Sequence, residues 1–253
     1  MSQNLQTASY VPPGVTPLVN RTFPGPPNSR SVGSVITVVV GAGPGMGMAL
    51  ARRFGRESAT VALVARRPDA LASYVDELGD LGVDARAFPA DVGDEVSLRA
   101  AFAAIRAELG DPDVLLYNAS LNPAGAPADV SVAEVESALR VGAVGALVAA
   151  QEVLPAMRTR GSGTVLVTGG GLALAPWPGA TALGMAKAAV RNLVQVLARD
   201  LEGTGVRAAT VTIRGIVGAP GFDPDDIAER FWTLHALPPG AGDVEVLVEQ
   251  PSD

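Results

Sequence analysis

Residues 35–47, Val-Ile-Thr-Val-Val-Val-Gly-Ala-Gly-Pro-Gly-Met-Gly, carry a β-branched apolar run straight into a turn that holds Gly41, Gly43, Gly45 and Gly47. The next residues, Met48-Ala49-Leu50-Ala51-Arg52-Arg53-Phe54, repeat apolar side chains at helical spacing, so the glycines occupy a strand-to-helix junction. A helix start offers unpaired N–H groups and the positive end of a dipole, and residues without a Cβ let a phosphate approach the backbone. The spacing is not G-x-G-x-x-G, because Met46 stands where the third glycine would fall. It reads Gly41-x-x-x-Gly45-x-Gly47 instead.

Beyond the turn, strand and helix patterns alternate. Strands are predicted over Thr60–Ala65, Ala85–Ala90, Val114–Asn118, Thr164–Thr168, Arg207–Ile213 and Val244–Val248. Helices are predicted after Pro68 and over Ser97–Leu109, Val132–Met157, Thr181–Leu201 and Pro224–Leu237. Repeated β–α alternation predicts an α/β fold, a Rossmann-type doubly wound parallel sheet of about seven strands, with ligand at the carboxyl ends of the strands. A chain of 253 residues suits one such domain. Residues 1–33 stand apart as a Pro-rich extension, read as a mobile tail or as an arm on a neighbouring subunit, and the dinucleotide-binding domain is predicted over 34–253.

Composition narrows the chemistry. The chain has no cysteine and one histidine, His235, which excludes disulfides, thiolate catalysis and an all-histidine metal site; no metal is expected. Net charge is −7 with scattered basic residues, so nucleic acid is not an expected partner. Neither a membrane span nor an export signal is apparent, and a soluble cytoplasmic protein is expected.

The glycine spacing, Asp91-Val92, the strand Val114-Leu115-Leu116-Tyr117-Asn118-Ala119 and Lys187 on a long helix together resemble the short-chain dehydrogenase/reductase family, over about residues 34–235. That resemblance implies that Gly41, Gly43, Gly45, Met46 and Gly47 hold a pyrophosphate, that Asp91 and Val92 hold the adenine, and that Asn118 and Ala119 brace the sheet. Lys187 would bond the nicotinamide ribose. At the end of the second strand, where an acidic residue would accept bonds from a ribose 2′-hydroxyl, Arg66 stands, followed by Arg67. A guanidinium pairs with a 2′-phosphate, so the expected cofactor is NADP(H). After the sixth strand, Arg214-Gly215-Ile216-Val217-Gly218-Ala219 keeps little of the family's Pro-Gly-x-Val-x-Thr.

Members of the family carry Tyr-x-x-x-Lys, a Ser about thirteen residues earlier and an Asn on the preceding long helix. This chain has Leu183, Gly170 and Gly142 at the matching positions. The reading is an atypical NADP(H)-dependent oxidoreductase whose hydride transfer does not rely on a Tyr acid, acting on an iminium or an activated C=C or C=O of a bulky apolar metabolite. A non-redox cyclase or isomerase on the same scaffold, serving natural-product biosynthesis, and a catalytically silent binding protein remain as alternatives. Lys187 and His235 are the candidate proton donors; Thr168 and Thr181 are too weakly acidic, and Tyr117 is read as packing. Leu172, Leu174, Trp177 and Trp232 are candidate pocket residues. Resemblance also implies a homodimer or homotetramer built on the two long helices.

Overall fold

A computed structural model of the chain describes residues 35–58 and 60–250, so the Pro-rich extension over residues 1–33 lies outside the described residues. The strands are β1 (Ile36–Val40), β2 (Thr60–Ala65), β3 (Ala85–Pro89), β4 (Val114–Tyr117), β5 (Gly163–Gly170), β6 (Val206–Ile213) and β7 (Glu245–Val248). The helices are α1 (Met46–Gly55), α2 (Pro68–Asp80), α3 (Glu95–Glu108), α4 (Val132–Leu139), α5 (Gly145–Arg160), α6 (Thr181–Asp200) and α7 (Pro224–Ala236). Among the described residues these form one seven-stranded sheet of order β3-β2-β1-β4-β5-β6-β7. Every pairing is parallel. The Rossmann-type α/β domain expected from the alternation is therefore the fold observed.

Period-two alternation fills both faces of the sheet. Val38, Val40, Leu115 and Tyr117 pack with Phe102, Val153 and Val194 from α3, α5 and α6. Val39, Leu116 and Leu166 face the other way, onto Leu50, Phe54, Leu71 and Phe231 from α1, α2 and α7. Local signals set several helix starts: Pro68 opens α2, the Asp94 carboxylate accepts from the Val96 N–H in α3, and Ser131 and Glu134 form a reciprocal cap on α4. Chain order reverses between β1 and β4, and that point opens a crevice at the strands' carboxyl ends.

The helix predicted over Val132–Met157 is not continuous. A π-helical turn, Arg140–Val144, separates α4 from α5, and the Gly145 N–H reaches back to the Arg140 carbonyl. Two glycines explain the interruption. A Cβ on Gly142 would lie 3.1 Å from the Ala186 Cβ, so bare Gly142 lets this segment close on α6. A Cβ on Gly145 would collide with the Tyr117 hydroxyl, which donates to the Val141 carbonyl in the same turn. Among the described residues, no helix is long and apolar enough to cross a membrane.

Candidate active site

The chain leaves β1 at Gly41 with φ +88°, and a Cβ there would sit 2.5 Å from the Ala119 nitrogen. Only glycine takes that conformation without strain and lets the turn close on the loop after β4. Gly47 is restricted differently, since a Cβ would lie 2.6 Å from the Gly41 carbonyl oxygen. Gly43 and Gly45 would meet nothing within 4 Å. Two glycines thus shape the turn and two leave open space beside it. Gly45 caps α1 without a side-chain acceptor, no acidic residue occupies the first helical turn, and among the described residues the Met46 and Gly47 N–H groups meet no main-chain acceptor. Unpaired donors, a positive dipole end and free space together fit a phosphate group.

Arg66 and Arg67 follow β2, and both are exposed. Neither guanidinium has a hydrogen-bond or ion-pair partner among the described residues, although the Arg67 carbonyl accepts from the Leu71 N–H at 3.1 Å. Pro68 starts α2 immediately after them and holds the pair at the edge of a recess of about 360 Å³ that runs back to Gly41 and Gly43. Tyr74 and Ala70, one helical turn apart on α2, line the same recess with Asp91 and Val92. Asp91 is fixed at both ends: its Oδ1 accepts from the Gly93 N–H at 2.9 Å, and its own N–H donates to Ser97 Oγ at 3.0 Å.

A chain of hydrogen bonds then crosses the sheet. Asn118 Nδ2 donates to the Gly41 carbonyl at 3.1 Å, Thr168 Oγ1 donates to Asn118 Oδ1 at 2.9 Å, and Lys187 Nζ donates to the Thr168 carbonyl at 2.7 Å. The glycine turn, β4, β5 and α6 are thereby tied at one level. With its hydroxyl committed to Asn118, Thr168 has no proton to offer a substrate, whereas Lys187 keeps donors in reserve. Burial pushes the Lys187 ammonium down to about 8.

A cavity of about 870 Å³ continues from Asn118 and Ser120 over the ends of β5 and β6. Leu172, Trp177, Leu183, Ile216 and Val217 supply its apolar wall, and Lys187 and Arg214 are its charged residues. Leu183 precedes Lys187 by one turn of α6 and shares its face. Gly170 lies against the Lys187 stem, where a Cβ would come within 3.1–3.3 Å of three methylene carbons. Leu172 and Trp177 are thus where they were expected.

Leu174 and Trp232 do not line this cavity, and His235 does not reach it. Trp232 stacks edge-on against Phe54 at 5.2 Å, with the Arg53 guanidinium 4.2 Å from its ring centre. His235 lies 5.1 Å from the Trp232 ring, and its Nδ1 is 3.0 Å from Thr164 Oγ1 at the amino end of β5. Thr164 and Thr168, whose carbonyl accepts from Lys187, are separated by about 13 Å of strand at ~3.3 Å per residue. Helix α7 begins near the carboxyl ends and runs back along the sheet, so its last turn delivers His235 to the opposite edge. Tyr117, read as packing, sits in the core, where burial pushes its phenol up.

Burial, with Arg207 and Arg53 nearby, holds His235 down at about 4 against an ordinary 6.5. Between those values the unfolded chain binds a proton that the folded chain excludes, so stability falls as pH drops through the window, by about 3 kcal/mol in all. His235→Gln is expected to flatten that slope in urea titrations while leaving cofactor affinity unchanged. Loss of turnover with an unaltered slope would instead make His235 catalytic.

Tyr74, Ser120 and Arg214 line the recess and the cavity, and the sequence reading did not name them as candidates. Tyr74 had a usable signal, its i, i+4 spacing from Ala70 on the helix after Arg67. Arg214 had one too, as the cation standing in the family's Pro position.

Comparison with known proteins places this geometry. Residues 35–221 match the family described as short chain dehydrogenase. The NADP-dependent 3-hydroxy acid dehydrogenase YdfG of Salmonella typhi is 30% identical over 227 residues, covering 81% of this chain and 90% of that protein. The 2,3-dihydro-2,3-dihydroxybenzoate dehydrogenase of Bacillus subtilis is 30% identical over 205 residues, covering 81% and 76%. A metagenomic short-chain oxidoreductase solved in complex with NADP superposes with a TM-score of 0.79 at 26% identity, covering 88% of this chain and 100% of that one. An actinorhodin polyketide ketoreductase with NADPH shares the fold, with a TM-score of 0.80 at 23% identity over 87% of this chain and 97% of its own. On the sheet order, the glycine turn and these matches, the chain belongs to the short-chain dehydrogenase/reductase family.

Proposed function

We propose that this protein is an NADP(H)-linked oxidoreductase whose hydride transfer does not use a tyrosine acid, acting on an iminium or an activated C=C or C=O of a bulky apolar metabolite. The observation that carries the cofactor choice is the pair Arg66 and Arg67, exposed at the end of β2 beside the open glycine turn, with no side-chain partner among the described residues. A 2′-phosphate is the dianion that such a pair would fork, and relatives named as NADP-dependent support the choice. In this reading the Gly43 and Gly45 notch takes the pyrophosphate, Tyr74, Asp91 and Val92 flank the adenine, and Asn118 and Ala119 hold the floor. A bound nicotinamide supplies or accepts the hydride.

Leu183 and Gly170 replace, by resemblance, the family's phenol and serine hydroxyl. A placed proton donor contributes roughly 10²–10⁴ in rate, and a polarising donor a similar factor. Without them, a neutral ketone lacks its acid, while an electrophile that is already charged or conjugated does not need one at the hydride step. Lys187 is the remaining donor: an ammonium held at about 8 is largely protonated at neutral pH. Val144, Leu147, Met185 and Val196 are exposed on the long helices and are proposed to pair two copies of the chain.

Calorimetric titration with NADPH, NADP, NADH and NAD tests the cofactor assignment. NADPH is expected to bind at micromolar concentration, and Arg66→Asp to weaken it relative to NADH by roughly 10–100-fold. Failure of all four nucleotides to bind would remove the redox reading.

A further inference from the structure

The substrate cavity has an unbalanced charge. Its lining contains two cationic side chains, Lys187 and Arg214, and no carboxylate. Lys187 sits at the floor with its ammonium on the Thr168 carbonyl. Arg214 follows the last residue of β6, its backbone held by an N–H bond to the Val248 carbonyl at 2.8 Å. Its stem packs on Gly171, where a Cβ would come within 2.9–3.0 Å of the Arg214 Cα and Cγ, so bare Gly171 is what admits the arginine. Gly170 and Gly171 are consecutive and touch Lys187 and Arg214 respectively. The two cations therefore flank one short glycine ridge on the cavity wall.

Resting on the oxidoreductase reading, we propose that Arg214 is the specificity-determining residue of this cavity and that the substrate is an apolar carboxylic acid, its carboxylate taken by Arg214 while its electrophilic carbon lies beside Lys187. Arg214 is engaged through one nitrogen, Nη1, with Glu249 Oε2 at 2.5 Å, and the two side chains are 37% and 42% exposed. Ion pairs with that exposure contribute little, because water screens the two charges. A substrate carboxylate in the cavity can take the guanidinium in exchange, leaving Glu249 in water. The apolar wall of Leu172, Trp177, Leu183 and Ile216 then receives the rest of the molecule, with exposed Trp177 and Ile216 at the rim.

The test is calorimetry on the full-length protein with benzoylpropionate, naphthoylpropionate and their methyl esters, with saturating NADP and again without nucleotide. The acids are expected to bind about 10-fold more tightly than the esters, from one charge-assisted pair. Arg214→Gln is expected to erase the difference by weakening the acids alone, and Arg214→Lys to restore part of it. Equal affinity of acid and ester, a preference that survives Arg214→Gln, or no binding of either acid would overturn the proposal. Absence of NADP binding alongside an acid preference that Arg214→Gln abolishes would reject the redox reading and keep the anion site.

Discussion

Gly170→Ser combined with Leu183→Tyr is expected to raise the reduction of a plain aryl ketone by NADPH by roughly 10²–10⁴. Both positions face Lys187. Leu183 lies one turn before it on α6, and Gly170 lies against its stem. A new Cβ at position 170 would approach the Lys187 methylenes to 3.1–3.3 Å, a contact relieved by a small shift of a flexible chain. The cavity of about 870 Å³ beside Leu183 has room for a phenol ring. A phenol one turn from an ammonium is stabilised as phenolate and so becomes a better acid near neutral pH. Adding Lys187→Met to the pair is expected to remove most of the gain. Unchanged ketone reduction with intact NADPH affinity would mean that these positions do not face the reacting atoms.

The second large effect is on stability. Gly41→Ala is expected to cost about 2–5 kcal/mol, the sum of roughly 1–2 for a side chain in the left-handed region and roughly 1–3 for overpacking. Ala119 supplies the overpacking, since its backbone nitrogen and Cα lie 2.5 and 2.7 Å from the added carbon, and neither can rotate away. For a domain held by about 5–15 kcal/mol, that loss is a large share. Gly43→Ala is the matched control. Its Cβ would meet nothing within 4 Å, so stability is expected to hold while NADPH affinity drops, because the carbon occupies the space assigned to phosphate. Urea titration and nucleotide calorimetry on both variants separate the two roles. Equal destabilisation of the two would mean that the turn is not divided between packing and open glycines.

Much of this architecture is written locally. The β-branched run before Gly41, the period-two strands and the Pro68 start are properties of contiguous residues, and they predicted the order of elements to within one or two residues at most ends. That the glycine turn, Arg66 and Asn118 would lie together was legible for the same reason: each sits at the carboxyl end of a strand, and in a parallel sheet all such ends lie on one edge. His235, Trp232 and the broken helix were not legible. The position of His235 depends on how far α7 runs back along the sheet, which delivers the ring to the amino end of β5, away from the glycine turn. The π-helical turn lies where Tyr117 and Ala186, remote in sequence, leave no room for a Cβ at Gly145 and little at Gly142. Arg214 lines the cavity because Gly171, the residue just after the neighbouring strand β5, has no side chain to keep it out. Periodicity records which face a residue turns to the core; it carries no record of which distant residue it meets there, and that meeting, decided by packing, distinguishes a catalytic group from a structural one.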